Sequence, residues 1–82
     1  MIQVRVKLFT VLREGLGKDV LDLELPEGTT CAEVISRLGK ELVSLQPILK
    51  RSFLAINGLY ADSNTFLSAG DELAVLPPVS GG

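Results

Sequence analysis

Val20-Leu21-Asp22-Leu23-Glu24-Leu25-Pro26-Glu27-Gly28-Thr29-Thr30-Cys31-Ala32-Glu33-Val34-Ile35-Ser36-Arg37-Leu38 changes its hydrophobic period halfway along. In the first six residues Leu21, Leu23 and Leu25 point one way and Asp22 and Glu24 the other, the period-two pattern of a half-buried strand. Pro26-Glu27-Gly28 ends that strand. Thr30 and Glu33 then stand at capping-box spacing, so the Thr hydroxyl can accept from the Glu33 amide while the carboxylate reaches back to the Thr30 amide. The helix that follows carries Val34, Ile35, Leu38 and Leu42 on one stripe, with Glu33, Arg37, Lys40 and Glu41 off it. Each inward aliphatic contributes about 1.5–3 kcal/mol, so this face supplies much of a small domain's margin. Gly39 is expected to weaken the helix, and Pro47 to stop it.

On the N-terminal side, Ile2, Val4, Val6 and Leu8 alternate with Gln3, Arg5 and Lys7, a second half-buried strand running to Phe9. Thr10 to Lys18 loses the alternation and reads as a short turn of helix or a loop, joining the two strands as a hairpin. On the C-terminal side, Phe53 to Ile56 is a third strand. Asn57-Gly58 suits a type I′ turn, whose two central residues both need φ > 0, and Leu59-Tyr60 is a short return strand. Asp62 to Leu67 is a connection with room for one helical turn. Gly70-Asp71 is a turn, and Glu72 to Leu76 the last strand, ended by Pro77-Pro78, neither of which donates to a ladder. The order ββαβ(β)β predicts an α+β protein of the ubiquitin-like β-grasp type. A mixed sheet of four to five strands packs on one main helix, with a domain over 1–76 and a flexible tail over 77–82.

Composition narrows the function classes. Eighty-two residues make one small domain. There is no histidine, which removes the commonest general base and transition-metal ligand, so no metal site is expected. One cysteine excludes an intrachain disulfide and a thiolate zinc cluster. A net charge of −2 argues against nucleic-acid binding. The longest apolar runs, Phe53–Ile56 and Leu73–Leu76, are far short of the ~20 residues that span a bilayer, and Gln3, Arg5 and Lys7 interrupt any secretory signal. No membrane partner and a cytoplasmic location are expected. The balance points to a partner protein rather than a self-sufficient enzyme.

The tail Pro77-Pro78-Val79-Ser80-Gly81-Gly82 is what the fold leaves over. Extended, it spans roughly 20 Å at ~3.3–3.6 Å per residue, long enough to carry a carboxylate into another protein's pocket. Glycine has no Cβ, so such an end fits a channel that excludes other residues. A frayed terminus is the competing reading, and the Gly-Gly pair alone is weak evidence against it.

The chain resembles the MoaD-like ubiquitin-fold sulfur carriers of the MoaD/ThiS superfamily, the small subunits of molybdopterin synthase. The shared features are the opening strand, Arg13-Glu14 with Gly17 after it, the Gly70-Asp71-Glu72 turn, and above all Pro77-Pro78-Val79-Ser80-Gly81-Gly82. Carriers of the thiamin pathway resemble it in fold but are typically shorter and lack the Pro-Pro step. The resemblance implies that Gly82 is adenylated with ATP by a separate, MoeB-like activating enzyme. Sulfur from a donor such as a cysteine desulfurase or rhodanese then converts it to a thiocarboxylate. It implies further that Pro77, Pro78, Val79, Ser80 and Gly81 insert into a MoaE-like large subunit, where the sulfur reaches a pterin precursor (cyclic pyranopterin monophosphate). The chain itself would bind no cofactor and would not be catalytic alone.

Docking also needs a body surface. Phe9, Tyr60 and Leu76 are candidates for one apolar patch on the exposed sheet face, with a core position as the competing reading for Phe9 and Leu76. All eight Lys and Arg lie within residues 1–51, leaving an acidic tail-side half that can steer toward a basic groove. Cys31 near a helix start has no histidine partner and reads as a small apolar residue. Gly15-Leu16-Gly17-Lys18 lacks the spacing of a phosphate loop, and Asp22 with Glu24 reads as an exposed charged face. The rival functions are a carrier for thiazole or another sulfur-bearing product, a ubiquitin-like modifier joined to lysines, and a plain β-grasp binding module.

Overall fold

The computed structural model describes residues 1–78. The elements are β1 (Ile2–Leu8), α1 (Thr10–Leu16), β2 (Val20–Leu25), α2 (Cys31–Glu41), a 3₁₀ turn (Val43–Leu45), α3 (Gln46–Arg51), β3 (Phe53–Ile56), β4 (Leu59–Ala61) and β5 (Glu72–Leu76). The described strands form one mixed sheet in the order β2-β1-β5-β3-β4. β1 pairs antiparallel with β2, Ile2 facing Leu25, and parallel with β5, Val6 facing Leu73. β3 pairs antiparallel with β5 and with β4. This is the expected β-grasp arrangement, with one face of the sheet covered by helices.

Alternation decides which side is covered. Val4, Val6 and Leu8 of β1 and Leu73 and Val75 of β5 are buried, and they meet Val34, Leu38 and Leu42 from α2 and the residue that caps it. α2 starts as its sequence dictates: the Glu33 amide donates to Thr30 Oγ1 and the Thr30 amide to Glu33 Oε1, both at 3.4 Å. The Asn57-Gly58 turn has φ of 51° and 84°, both positive as a type I′ turn requires.

Two expectations are corrected, for Pro47 and for Asp62 to Leu67, and two are made definite, for Thr10 to Leu16 and for Gly39. Thr10 to Leu16 is a helix, and its Leu12 is fully buried; Thr10, at φ 51°, bends the chain sharply out of β1 into it. α2 ends at Glu41, before Pro47 is reached, and Pro47 instead sits in the first turn of α3, where its missing N–H has no helical partner to lose. α2 is therefore not the single helix on the sheet. Gly39 serves close packing: the Gln46 amide nitrogen donates to its carbonyl at 2.8 Å, and a Cβ there would meet Gln46 Cγ at 3.3 Å. Asp62 to Leu67 contains no helical turn. Asp62 Oδ1 accepts from the Asn64 amide at 2.9 Å and the Thr65 hydroxyl at 3.2 Å, and the Thr65 and Ser63 carbonyls accept from the Cys31 and Ala32 amides at the start of α2.

Candidate functional site: the sheet face beside the tail

The strand that leads to the tail is anchored on both sides. β5 lies between β1 and β3, with Leu73 and Val75 fully buried beneath it. Its ladder ends at Leu76, opposite Phe53. Pro77 and Pro78 follow, half-buried and outside the ladder, as residues without an N–H must be. Val79, Ser80, Gly81 and the candidate Gly82 lie outside the described residues.

The sheet register assembles a patch next to that exit. Cross-strand partners share a face, so Leu76 and Phe53 stand together, and Ala74, Ala55 and Tyr60 form the adjacent row. The Phe53 and Tyr60 rings meet edge to face, with centroids 6.5 Å apart and planes at 68°. Phe53 is 60% exposed and Tyr60 82%, whereas Leu76 is half-buried. Alanines at 55 and 74 keep the floor between them low. Phe9, also half-buried, is in extended backbone one residue beyond the Leu8–Val75 pair, at the end of the neighbouring strand. Tyr60 and Leu76 are thus joined through Phe53, whose continuously apolar strand carries no alternation that would assign it a face.

Across β1 and β2 the same face becomes charged. Arg5 Nε reaches Asp22 Oδ1 at 3.2 Å, Lys7 Nζ lies 3.8 Å from Glu72 Oε1, and the Gln3 amide reaches Glu24 at 3.5 Å. Asp22 and Glu24 are thereby engaged across the strand pair, not converging on a common substrate position. The face is divided: apolar and aromatic beside the tail, paired charges farther away. That is the layout of an anchor with a polar rim.

Other described features offer no chemistry of their own. Cys31 is buried, and its thiol is pushed up first by burial and then by the carboxylates of Asp62 and Asp71, so the thiolate is disfavoured. Gly17 closes α1 as its left-handed cap, which accounts for the Gly15–Lys18 segment. A groove of about 840 Å³ lies between α2, α3 and the β3–β4 hairpin, with Ile35, Leu49 and Leu54 among its walls and Phe53 and Tyr60 at its edge. Among the described residues no group of three or more Cys, Asp or Glu is placed to hold a metal ion, and no helix is long and apolar enough to cross a membrane.

This architecture defines a ubiquitin-like β-grasp protein whose central strand ends at Leu76 beside an exposed aromatic patch. Residues 6–82 match the ThiS family, and the chain belongs to it. It is 33% identical over 81 residues to the "Molybdopterin synthase sulfur carrier subunit" of Arabidopsis thaliana, covering 99% of this chain and 84% of the relative. It is 34% identical over 83 residues to the protein of the same description from Dictyostelium discoideum, covering 98% and 96%. Among solved structures it is similar to small archaeal modifier protein 1 of Methanosarcina acetivorans, at 30% identity and a TM-score of 0.81 over 100% of this chain and 98% of that one. It is also similar to a chain in the complex of subunits 1 and 2 of molybdopterin-converting factor from Helicobacter pylori, at 26% identity and a TM-score of 0.68 over 99% and 100%.

Proposed function

We propose that this chain is the sulfur-carrying small subunit of a molybdopterin synthase and that Gly82 is the residue that bears the sulfur. The observation that carries this reading is the near full-length similarity to molybdopterin synthase sulfur carrier subunits in a chain ending Pro77-Pro78-Val79-Ser80-Gly81-Gly82.

A free carboxylate is a poor acyl donor. A MoeB-like adenylating enzyme uses ATP to join a Gly82 carboxylate oxygen to AMP, releasing pyrophosphate. The persulfide sulfur of a donor, a cysteine desulfurase or a rhodanese, attacks the acyl carbon and AMP leaves. A thiol then reduces the resulting acyl disulfide, freeing the thiocarboxylate and leaving the donor and thiol oxidised as a disulfide. The terminal –COS⁻ is a softer nucleophile than –COO⁻ and delivers sulfur to a carbon of the pterin precursor held by a MoaE-like large subunit. This chain supplies the reactive atom and a rigid body that aims it, while acid–base groups and the substrate pocket belong to the partner. ATP is used in trans, and no cofactor is held by this chain. Phe53, Tyr60, Leu76 and Phe9 form the docking surface, with Pro77 to Gly81 threading into the partner. The reactions take place in the cytoplasm.

The test is removal of Gly82. Synthase activity should be lost while the melting temperature is unchanged, because the last buried core residue is Val75 and the sheet ladder ends at Leu76. Retained activity would overturn the mechanism. A second reading, a ubiquitin-like modifier, is favoured by the likeness to small archaeal modifier protein 1. In that case Gly82 becomes joined to target lysines, and an isopeptide-linked remnant of this tail on cellular proteins would mark it.

A further inference from the structure

Asn57 does more in this fold than turn a hairpin. It stands exposed at the tip of β3–β4 at φ 51°, with Gly58 after it. Its side chain is held at both ends: Nδ2 donates to Asp71 Oδ1 and Oδ1 accepts from the Glu72 amide, each at 2.9 Å. Its own backbone amide donates to the Glu72 carbonyl at 2.9 Å. Asp71 uses its other oxygen, Oδ2, to accept from the Ser68 amide at 2.7 Å. One primary amide therefore ties the hairpin tip to the turn that starts β5, the strand that leads to the tail.

We propose that Asn57 is a site of spontaneous deamidation that the folded protein holds off through Asp71 and Glu72, and whose acidic product cannot remake the latch. Asparagine followed by glycine is open to attack from the next backbone nitrogen, because glycine places no side chain in the way. The Gly58 amide nitrogen, its proton taken by solvent base, bonds to Asn57 Cγ and closes a five-membered imide. The Cγ–Nδ2 bond breaks and ammonia leaves, taking a proton from water. Water then adds to either imide carbonyl, giving aspartate or isoaspartate; the net change is water in and ammonia out. The attack requires Cγ to swing onto the Gly58 nitrogen, which breaks both side-chain hydrogen bonds.

The product has no donor to replace Nδ2. An aspartate at 57 sets a second carboxylate against that of Asp71, and like charges so close repel. Isoaspartate adds a main-chain atom to a two-residue turn whose length sets the Ile56–Leu59 register. It is also the substrate of isoaspartyl methyltransferases, which supplies a readout.

The full chain, Asp71→Ala and Asp71→Asn, each checked for folding by circular dichroism, are incubated at mildly alkaline pH beside the guanidinium-unfolded chain. Peptide mass mapping and isoaspartyl methylation then follow residue 57. The folded chain should react about tenfold or more slowly than the unfolded one, the factor that a hydrogen bond to a charged group contributes to an equilibrium. Asp71→Asn keeps one acceptor oxygen but loses the charge and the second oxygen that holds the Ser68 amide, so it should react faster than the native chain. Asp71→Ala, which keeps only the bond from the Glu72 amide, should react faster still. Equal rates for folded and unfolded chains, or for native protein and a folded Asp71→Ala, would overturn the proposal. Asn57→Asp installs the product directly and does not depend on how Asp71→Ala folds. It should melt at a lower temperature, and an unchanged melt would refute the claim about the latch.

Discussion

Replacing Phe53 by alanine separates the role of the patch from that of the tail. Phe53 is 60% exposed, and an aromatic side chain presents about 150–250 Å² when buried. The exposed share is therefore on the order of 120 Å², which at ~25 cal/mol per Å² corresponds to about 3 kcal/mol if a partner covers it completely. Since 1.4 kcal/mol is tenfold, the variant should bind a large synthase subunit roughly 10- to 100-fold more weakly. The cost to the free protein is smaller, about 1–2 kcal/mol, from the lost edge contact with Tyr60 and the part of the ring already buried. A domain of this size then melts some 4–8 °C lower per kcal/mol, so titration calorimetry at room temperature still reads a folded protein. Val43→Ala is the matched control: Val43 is 64% exposed but sits on the 3₁₀ turn of the helical layer, and it should change affinity by less than about twofold. If Phe53→Ala binds as the native protein does, or if Val43→Ala weakens binding equally, the sheet face is not the docking surface.

Three further outcomes follow from the core and the caps. Leu12→Ala should cost about 2–5 kcal/mol by chemical denaturation, because Leu12 is fully buried; a loss under ~1 kcal/mol would mean that α1 does not close the core. Thr30→Ala should cost about 1 kcal/mol by breaking the capping box, with Thr30→Ser nearly neutral; equal losses in both would point to the methyl group rather than the hydroxyl. Cys31 should resist thiol reagents at mildly alkaline pH until the protein is unfolded. Its folded pKa is raised, so the unfolded chain gives up that proton first; the stability it contributes is full below the unfolded thiol pKa of about 8.5 and falls as pH rises through it. Rapid labelling of the native protein, or an alkaline slope retained in Cys31→Ala, would contradict this.

Strands and the main helix were legible because each buries one face, and one-sided burial leaves a period in the sequence. Ile2–Leu8, Val20–Leu25 and the capped stripe beginning at Thr30 all read correctly, as did the Asn57-Gly58 turn. α1 did not read as a firm helix because seven residues offer one fully buried position, and Gly15 suggested a loop. Pro47 hides α3 in the sequence, because proline both ends a preceding helix and is at home in the first turn of the next. The available signal was Ile48-Leu49 followed by the basic pair Lys50-Arg51 at the helix end. Phe53 was missed for a different reason. Phe53 to Ile56 is continuously apolar, so no alternation assigns a face, and only its pairing with Leu76 and the Tyr60 ring reveals which way it points. Patch membership is a property of register between strands distant in the chain. The tail, by contrast, was legible as a run of residue types, and its chemistry rests on family resemblance rather than on packing.

The most direct test of the central claim is the intact mass of this protein after incubation with ATP, a MoeB-like activating enzyme and a sulfide source. The account predicts a gain equal to exchanging one oxygen for sulfur, mapped to Gly82 by fragmentation and absent without ATP. No gain, with an activating enzyme shown to be competent on another carrier, would contradict it.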